Sequence, residues 1–126
     1  MQEAVLKIKE IGAPPEGFEN DFAPGEAGFP SDEVLDLWED YEDAVVSIRW
    51  PVTWEEAEVL IKCCPTDHMA GIEWTLLHGI ESCVSNDALL ETPEELERYR
   101  NLIGQCNSDM MKKELLERLE AFLSEA

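Results

Sequence analysis

The sequence predicts an all-α protein: a single-domain bundle of about five helices, preceded by an extended N-terminal arm and a Pro/Gly-rich loop. Two observations carry this. After residue 31 apolar residues recur every three to four positions, and the runs open on residues that cap helices. With 126 residues and 44% hydrophobic content, the chain can bury one core without disulfides or metals to staple it.

Residues 1–30 read as an arm and an ordered loop packed on the body, and 31–126 as the helical domain. Within 4–11, the alternation of apolar and basic side chains at Leu6, Lys7, Ile8 and Lys9 suits a short strand or an extended arm. Residues 12–30 hold four of the seven prolines and four of the seven glycines. Phe18, Phe22 and Phe29 are interleaved with them and can pin the loop to the core.

Ser31 is the N-cap of the first helix, which carries Val34, Leu37, Trp38, Tyr41, Val45 and Ile48 at helical spacing. It closes before Trp50-Pro51, because the residue preceding proline avoids the helical region. Thr53 and Glu56 form a capping box that opens a second helix, ended by Pro65. Thr66 caps a third, from Asp67 to about Cys83. Met69, Ile72, Leu76, Ile80 and Cys83 make one apolar face, and Trp74 and Leu77 lie on the other side with His78 and Glu81, so this helix is central. Residues 84–91 read as a polar connection. Thr92-Pro93-Glu94-Glu95 reads as a capping box that opens a fourth helix with proline at its first position. Asn107-Ser108 caps a fifth, with Met111, Leu115, Leu119 and Phe122 at helical spacing.

Charge is the feature that bears on function. Formal net charge is −20, which spreads over roughly 6,800 Å² of surface, about one uncompensated charge per 340 Å². Between Lys9 and Arg49 there are twelve carboxylates and no basic residue. Nucleic acid and anionic membrane need Lys and Arg to neutralise phosphate, so neither is a direct partner of such a surface. A basic protein is. Disorder does not follow from the acidity, because four Trp, four Phe and dense apolar periodicity are what disordered acidic chains lack.

Catalytic and metal chemistry have little to work with. His68 and His78 are the only histidines. His78 and Glu81 could ligate a metal from neighbouring turns, but no second histidine lies at metal spacing, and His78 reads as wedged against Trp74 and bonded to a carboxylate. No glycine-rich phosphate loop occurs. The expectation is a non-enzyme with no cofactor and no metal. Cys63, Cys64, Cys83 and Cys106 show no Cys-x-x-Cys spacing and read as reduced, buried and structural. The start Met1-Gln2-Glu3 lacks the regions of a signal peptide, and no apolar run has the length of a membrane span, which predicts a cytoplasmic protein.

On a helical wheel Asp32, Glu33, Asp36, Glu39, Asp40 and Asp43 fall in an arc of about 120° opposite the apolar stripe. Ordinary solvated faces alternate Glu with Lys at four-residue spacing and gain ~0.2–0.5 kcal/mol per pair, whereas Asp32/Asp36, Asp36/Asp40 and Glu39/Asp43 repel. Glu42 and Asp43 also sit far from the helix start, where negative charge would be favourable. Local stability therefore does not explain them. The ridge is roughly 16 Å long, with carboxylates about one turn apart. Asp32, Asp36, Glu39, Asp40 and Asp43 are the expected partner-binding surface, with Glu42, Glu55 and Glu58 at its rim.

The segment Glu73-Trp74-Thr75-Leu76-Leu77-His78-Gly79-Ile80-Glu81-Ser82, together with Trp50-Pro51-Val52-Thr53-Trp54-Glu55-Glu56-Ala57, resembles patterns in small acidic immunity proteins of bacterial polymorphic and contact-dependent toxin systems. The resemblance implies stoichiometric binding of a cognate basic toxin, often a nuclease, with occlusion of its active site or substrate groove. That family shares no binding motif, so the resemblance carries over no residue roles. Two other readings use the same features: a nucleic-acid mimic that inhibits a DNA-binding enzyme, and a helical adaptor or chaperone-like module.

Overall fold

The computed structural model describes residues 1–19 and 23–125, and Phe22 lies outside them. The described residues form seven helices and no strand: α1 (Glu3–Ile11), α2 (Asp32–Val46), α3 (Trp54–Leu60), α4 (Ile72–Glu81), α5 (Asn86–Glu91), α6 (Pro93–Gly104) and α7 (Asp109–Glu125). The all-α class holds, with two helices more than the periodicity suggests.

The arm at 4–11 is helix α1, not a strand. Val5 and Ile8 are fully buried and Ala4 and Ile11 half-buried, a stripe at helical spacing, while Leu6 faces solvent. Glu3 in the first turn and Lys9 in the last both suit the helix dipole. Gly12, at φ 77°, ends the helix with its N–H on the Ile8 carbonyl.

The second addition is α5, a single short helix in the stretch read as a connection. Ser85 caps it through a hydrogen bond from the Ala88 amide, and Leu89 buries its apolar side. The central helix α4 starts at Ile72 rather than Asp67, because Ala70 (φ 52°) and Gly71 (φ 91°) adopt left-handed backbone just ahead of it. Glu73, 1% exposed, accepts the amides of Met69 (2.6 Å) and Gly71 (2.7 Å) and so satisfies that turn. Thr66 does not cap; its hydroxyl donates to Glu16.

Other caps match the sequence reading. The Ser31 hydroxyl accepts from the Val34 amide, and Thr53 and Glu56 form a reciprocal capping box. The Ser108 hydroxyl accepts from Met111 at the start of α7. The capping box expected at Thr92–Glu95 does not form: Thr92 makes no side-chain cap, and Pro93 alone marks the start of α6.

Helix α1 packs on α2 and α3, α6 packs on α5 and α7, and α4 touches α2, α3 and α7, so it joins the two groups. Leu76, Leu77 and Ile80 of α4 meet Tyr41, Leu60, Ile61, Ile103, Met111 and Leu115 in one continuous core. The Tyr41 hydroxyl donates to the Cys63 carbonyl at 2.6 Å, and burial pushes the phenol well above its ordinary range. The loop is tied down at 15–19. Phe18 meets Trp38 edge-on at 5.3 Å, the Trp38 indole donates to the Pro15 carbonyl, and Gly17 donates to Asp67. No helix is long and apolar enough to cross a membrane among the described residues.

Candidate functional site

Helix α2 presents its core stripe, Trp38, Tyr41, Ala44 and Val45, inward, and the acidic arc is consequently driven outward. Asp32, Asp36, Glu39, Asp40 and Asp43 are exposed and Glu42 is half-buried. Every ion pair among the described residues involves residue 68 or later, and none reaches an α2 carboxylate. The accessible surface is 7233 Å², so the formal charge of −20 leaves one uncompensated charge per about 360 Å².

Not every carboxylate of the first half is free for a partner. Glu16 binds the Thr66 hydroxyl, Glu19 the Ala70 amide, and Glu56 the amides of Gln2 and Thr53. These three tie the fold together: Glu56 serves partly buried amides, and Glu16 and Glu19 fasten the loop to the turn ahead of α4.

Two further details refine the ridge. Asp40 and Asp43 edge a groove of about 650 Å³ between α1 and α2 whose other walls carry Lys7 and Arg49. The anionic field is thus least offset toward Asp32, Asp36 and Glu39. Leu35 and Val46, 38% and 63% exposed, share a row at helical spacing with Glu39 and Glu42. Apolar side chains beside the charge were not anticipated, although the same wheel holds them.

Glu55 and Glu58 do not rim this ridge. They share a groove with Met1, with Lys9 of α1 and with Lys62, and α1 packs on both α2 and α3. The α2 groove uses Lys7 and the α3 groove Lys9, which point to opposite sides of α1, so the helix separates the two sets.

A second surface feature lies on α4. His78 Nδ1 is 3.2 Å from Glu81 Oε1, and Glu81 is held by Arg118 through two bonds of 2.9 and 3.1 Å. The aromatic ring beside His78 is Trp50 (centroids 6.4 Å apart), not Trp74, whose neighbour is His68 (6.3 Å). Trp50 lies over Gly79, where a Cβ would come within 3.2 Å of its indole nitrogen.

Among the described residues no three His, Cys, Asp or Glu side chains converge as a metal would require. All four cysteines are free. Cys63, Cys64 and Cys106 are buried and Cys83 half-buried. No protein-family model matches this chain, and no curated protein or solved structure matches it either, so the reading of function rests on the surface chemistry of α2 and α4.

Proposed function

We propose that this chain neutralises a basic protein by stoichiometric binding, as an immunity or antitoxin-like protein whose partner is a toxin domain, most plausibly of nuclease class. The observation that carries the reading is the α2 ridge: exposed carboxylates about one helical turn apart, without a single internal ion pair among the described residues. A ridge of this kind fits a cationic groove built to hold a nucleic-acid backbone. Inhibition would be by occlusion, with no chemical step.

Electrostatic attraction would set a fast encounter, toward ~10⁸ M⁻¹s⁻¹ at low salt, and short-range packing would set the lifetime of the complex. Leu35 and Val46, exposed along the same helix, supply apolar area for that packing.

The test is co-expression with a basic toxin domain, sought first in the gene next to the one encoding this chain. Wild type should restore growth and inhibit the purified toxin at a 1:1 ratio. The triple variant Asp32→Lys, Asp36→Lys, Glu39→Lys should lose protection while keeping its helical circular dichroism. Full protection by the triple variant would remove the ridge from the interface.

A further inference from the structure

Four surface rings form one aromatic face on and around α4. Trp74 and His78 are four residues apart on the helix and so share a side. His68 stands against Trp74, and Trp50 against His78. In both pairs a carboxylate also lies close to the histidine. Glu73 is 3.7 Å from His68 and Glu81 is 3.2 Å from His78.

All four rings are open to solvent: Trp50 52%, Trp74 37%, and the His68 and His78 side chains 58% and 48%. Both histidines of the chain and two of its four tryptophans are on this face. Exposed tryptophan is costly, since each ring leaves apolar area in water. Trp50 also packs closely on the helix: a Cβ at position 79 would stand 3.2 Å from its indole nitrogen, so glycine there eases the approach.

The chain itself shows what completes such a ring. Trp54 is covered by the Arg98 guanidinium, 4.4 Å from the ring centroid. Trp50 and Trp74 have no such cation among the described residues. We propose that this face is an arginine-receiving surface: Trp50 and Trp74 stack guanidinium groups of a basic protein partner, as Trp54 stacks Arg98. The occupant is fixed by charge complementarity, since a chain of net charge −20 attracts cationic segments. Arginine is the cation that stacks on aromatic planes while its edge remains free to bond carboxylates. Tryptophan and arginine are also among the residues enriched at the energetic centres of protein interfaces. This inference rests on the cationic partner proposed above and adds a surface distinct from α2.

The test uses nona-arginine and nona-lysine as probes, with calorimetry for affinity and the indole Nε1–H signals of the intact protein for location. Nona-arginine should shift the signals of Trp50 and Trp74 and leave those of Trp38 and Trp54 in place. The double variant Trp50→Ala, Trp74→Ala should weaken nona-arginine about tenfold and nona-lysine less than threefold. Circular dichroism should be unchanged, because neither ring belongs to the core. Gly79→Ala, whose methyl pushes on the Trp50 indole, should give a smaller loss of the same kind.

If the double variant binds both peptides as wild type does while the α2 triple variant loses them, the aromatic face is overturned and the α2 reading stands. If the tryptophan variants weaken nona-arginine while the α2 triple variant binds normally, the α4 surface stands and the α2 reading falls. Should a neutral oligosaccharide such as cellohexaose shift the two indoles where nona-arginine does not, the arginine assignment is wrong.

Discussion

The side-chain amide of Asn107 makes both backbone hydrogen bonds of Cys64, accepting from its N–H and donating to its C=O, each at 2.8 Å. The backbone N–H of Asn107 also donates to the Ile61 carbonyl. One residue in the α6–α7 turn thereby fastens the end of α3, 43 positions earlier. Gln2 treats Arg49 in the same way, accepting its N–H at 2.8 Å and donating to its carbonyl at 3.1 Å. Two carboxamides, each acting as a surrogate peptide, hold together segments that no strand pairs.

Asn107→Ala leaves the N–H and C=O of Cys64 without those partners. Two lost bonds at partly buried groups predict a destabilisation of about 2–3 kcal/mol in urea unfolding. Asn107→Asp keeps only the acceptor and should fall between the two. A change below ~0.5 kcal/mol for the alanine variant would mean that water replaces the amide fully.

Glu56 links folding to pH. Burial works to raise its carboxyl, but the hydrogen bonds from Gln2 and Thr53 outweigh that and hold it below the ordinary value of 4.5. A lowered folded-state value means that the stabilisation is complete above 4.5 and fades as the pH falls through the folded value. Glu56→Gln should therefore cost about 1–2 kcal/mol near neutral pH, and the gap from wild type should close toward pH 3. A gap that stays constant in acid contradicts this assignment.

Much of the fold is legible in the sequence where period and cap agree. Ser31 and the Trp38–Tyr41–Val45 stripe specify α2, and Thr53 with Glu56 specifies α3. Helix α1 escapes because Leu6 to Lys9 alternates like a strand over too few residues to arbitrate, and only the burial of Val5 and Ile8 decides. The six residues of α5 are too few to show a period. Positive φ at Ala70 leaves no trace in composition, so the expected helix starts five residues too early, at Asp67 rather than Ile72. The exposed α2 acids are legible because a wheel places them. Trp50 beside His78 is not, since tertiary packing on Gly79 brings them together from different segments.

Ala70 holds φ 52°, a conformation costly to any residue with a Cβ. Its amide is satisfied by Glu19, so the strain is confined to the side-chain carbon. Ala70→Gly should raise stability by roughly 0.5–1 kcal/mol, the relief being partly offset by the freer unfolded chain. Thermal unfolding measures it directly, and a loss of stability would count against this backbone geometry.

Thiol reactivity needs both thiolate and access. The Cys106 thiol is lowered, chiefly by its neighbour Cys64, yet it is 6% exposed. Cys83 is more open, but burial pushes it up to about 12. At pH 8 the native protein should react with Ellman's reagent at least roughly tenfold more slowly than the unfolded chain, which should titrate four thiols. A rapid equivalent in the native state would place one of them at the surface.

The claim that the α2 carboxylates meet a cationic macromolecule is tested most directly by the affinity for the natural partner, captured with the intact protein, as a function of salt. Raising NaCl from 50 to 500 mM should weaken wild type by about 30-fold or more, because screening shortens to a few ångströms. The Asp32→Lys, Asp36→Lys, Glu39→Lys variant should bind at least ~100-fold more weakly at low salt, like other complexes whose paired charges are reversed. An affinity flat in salt and indifferent to the three reversals would contradict the account.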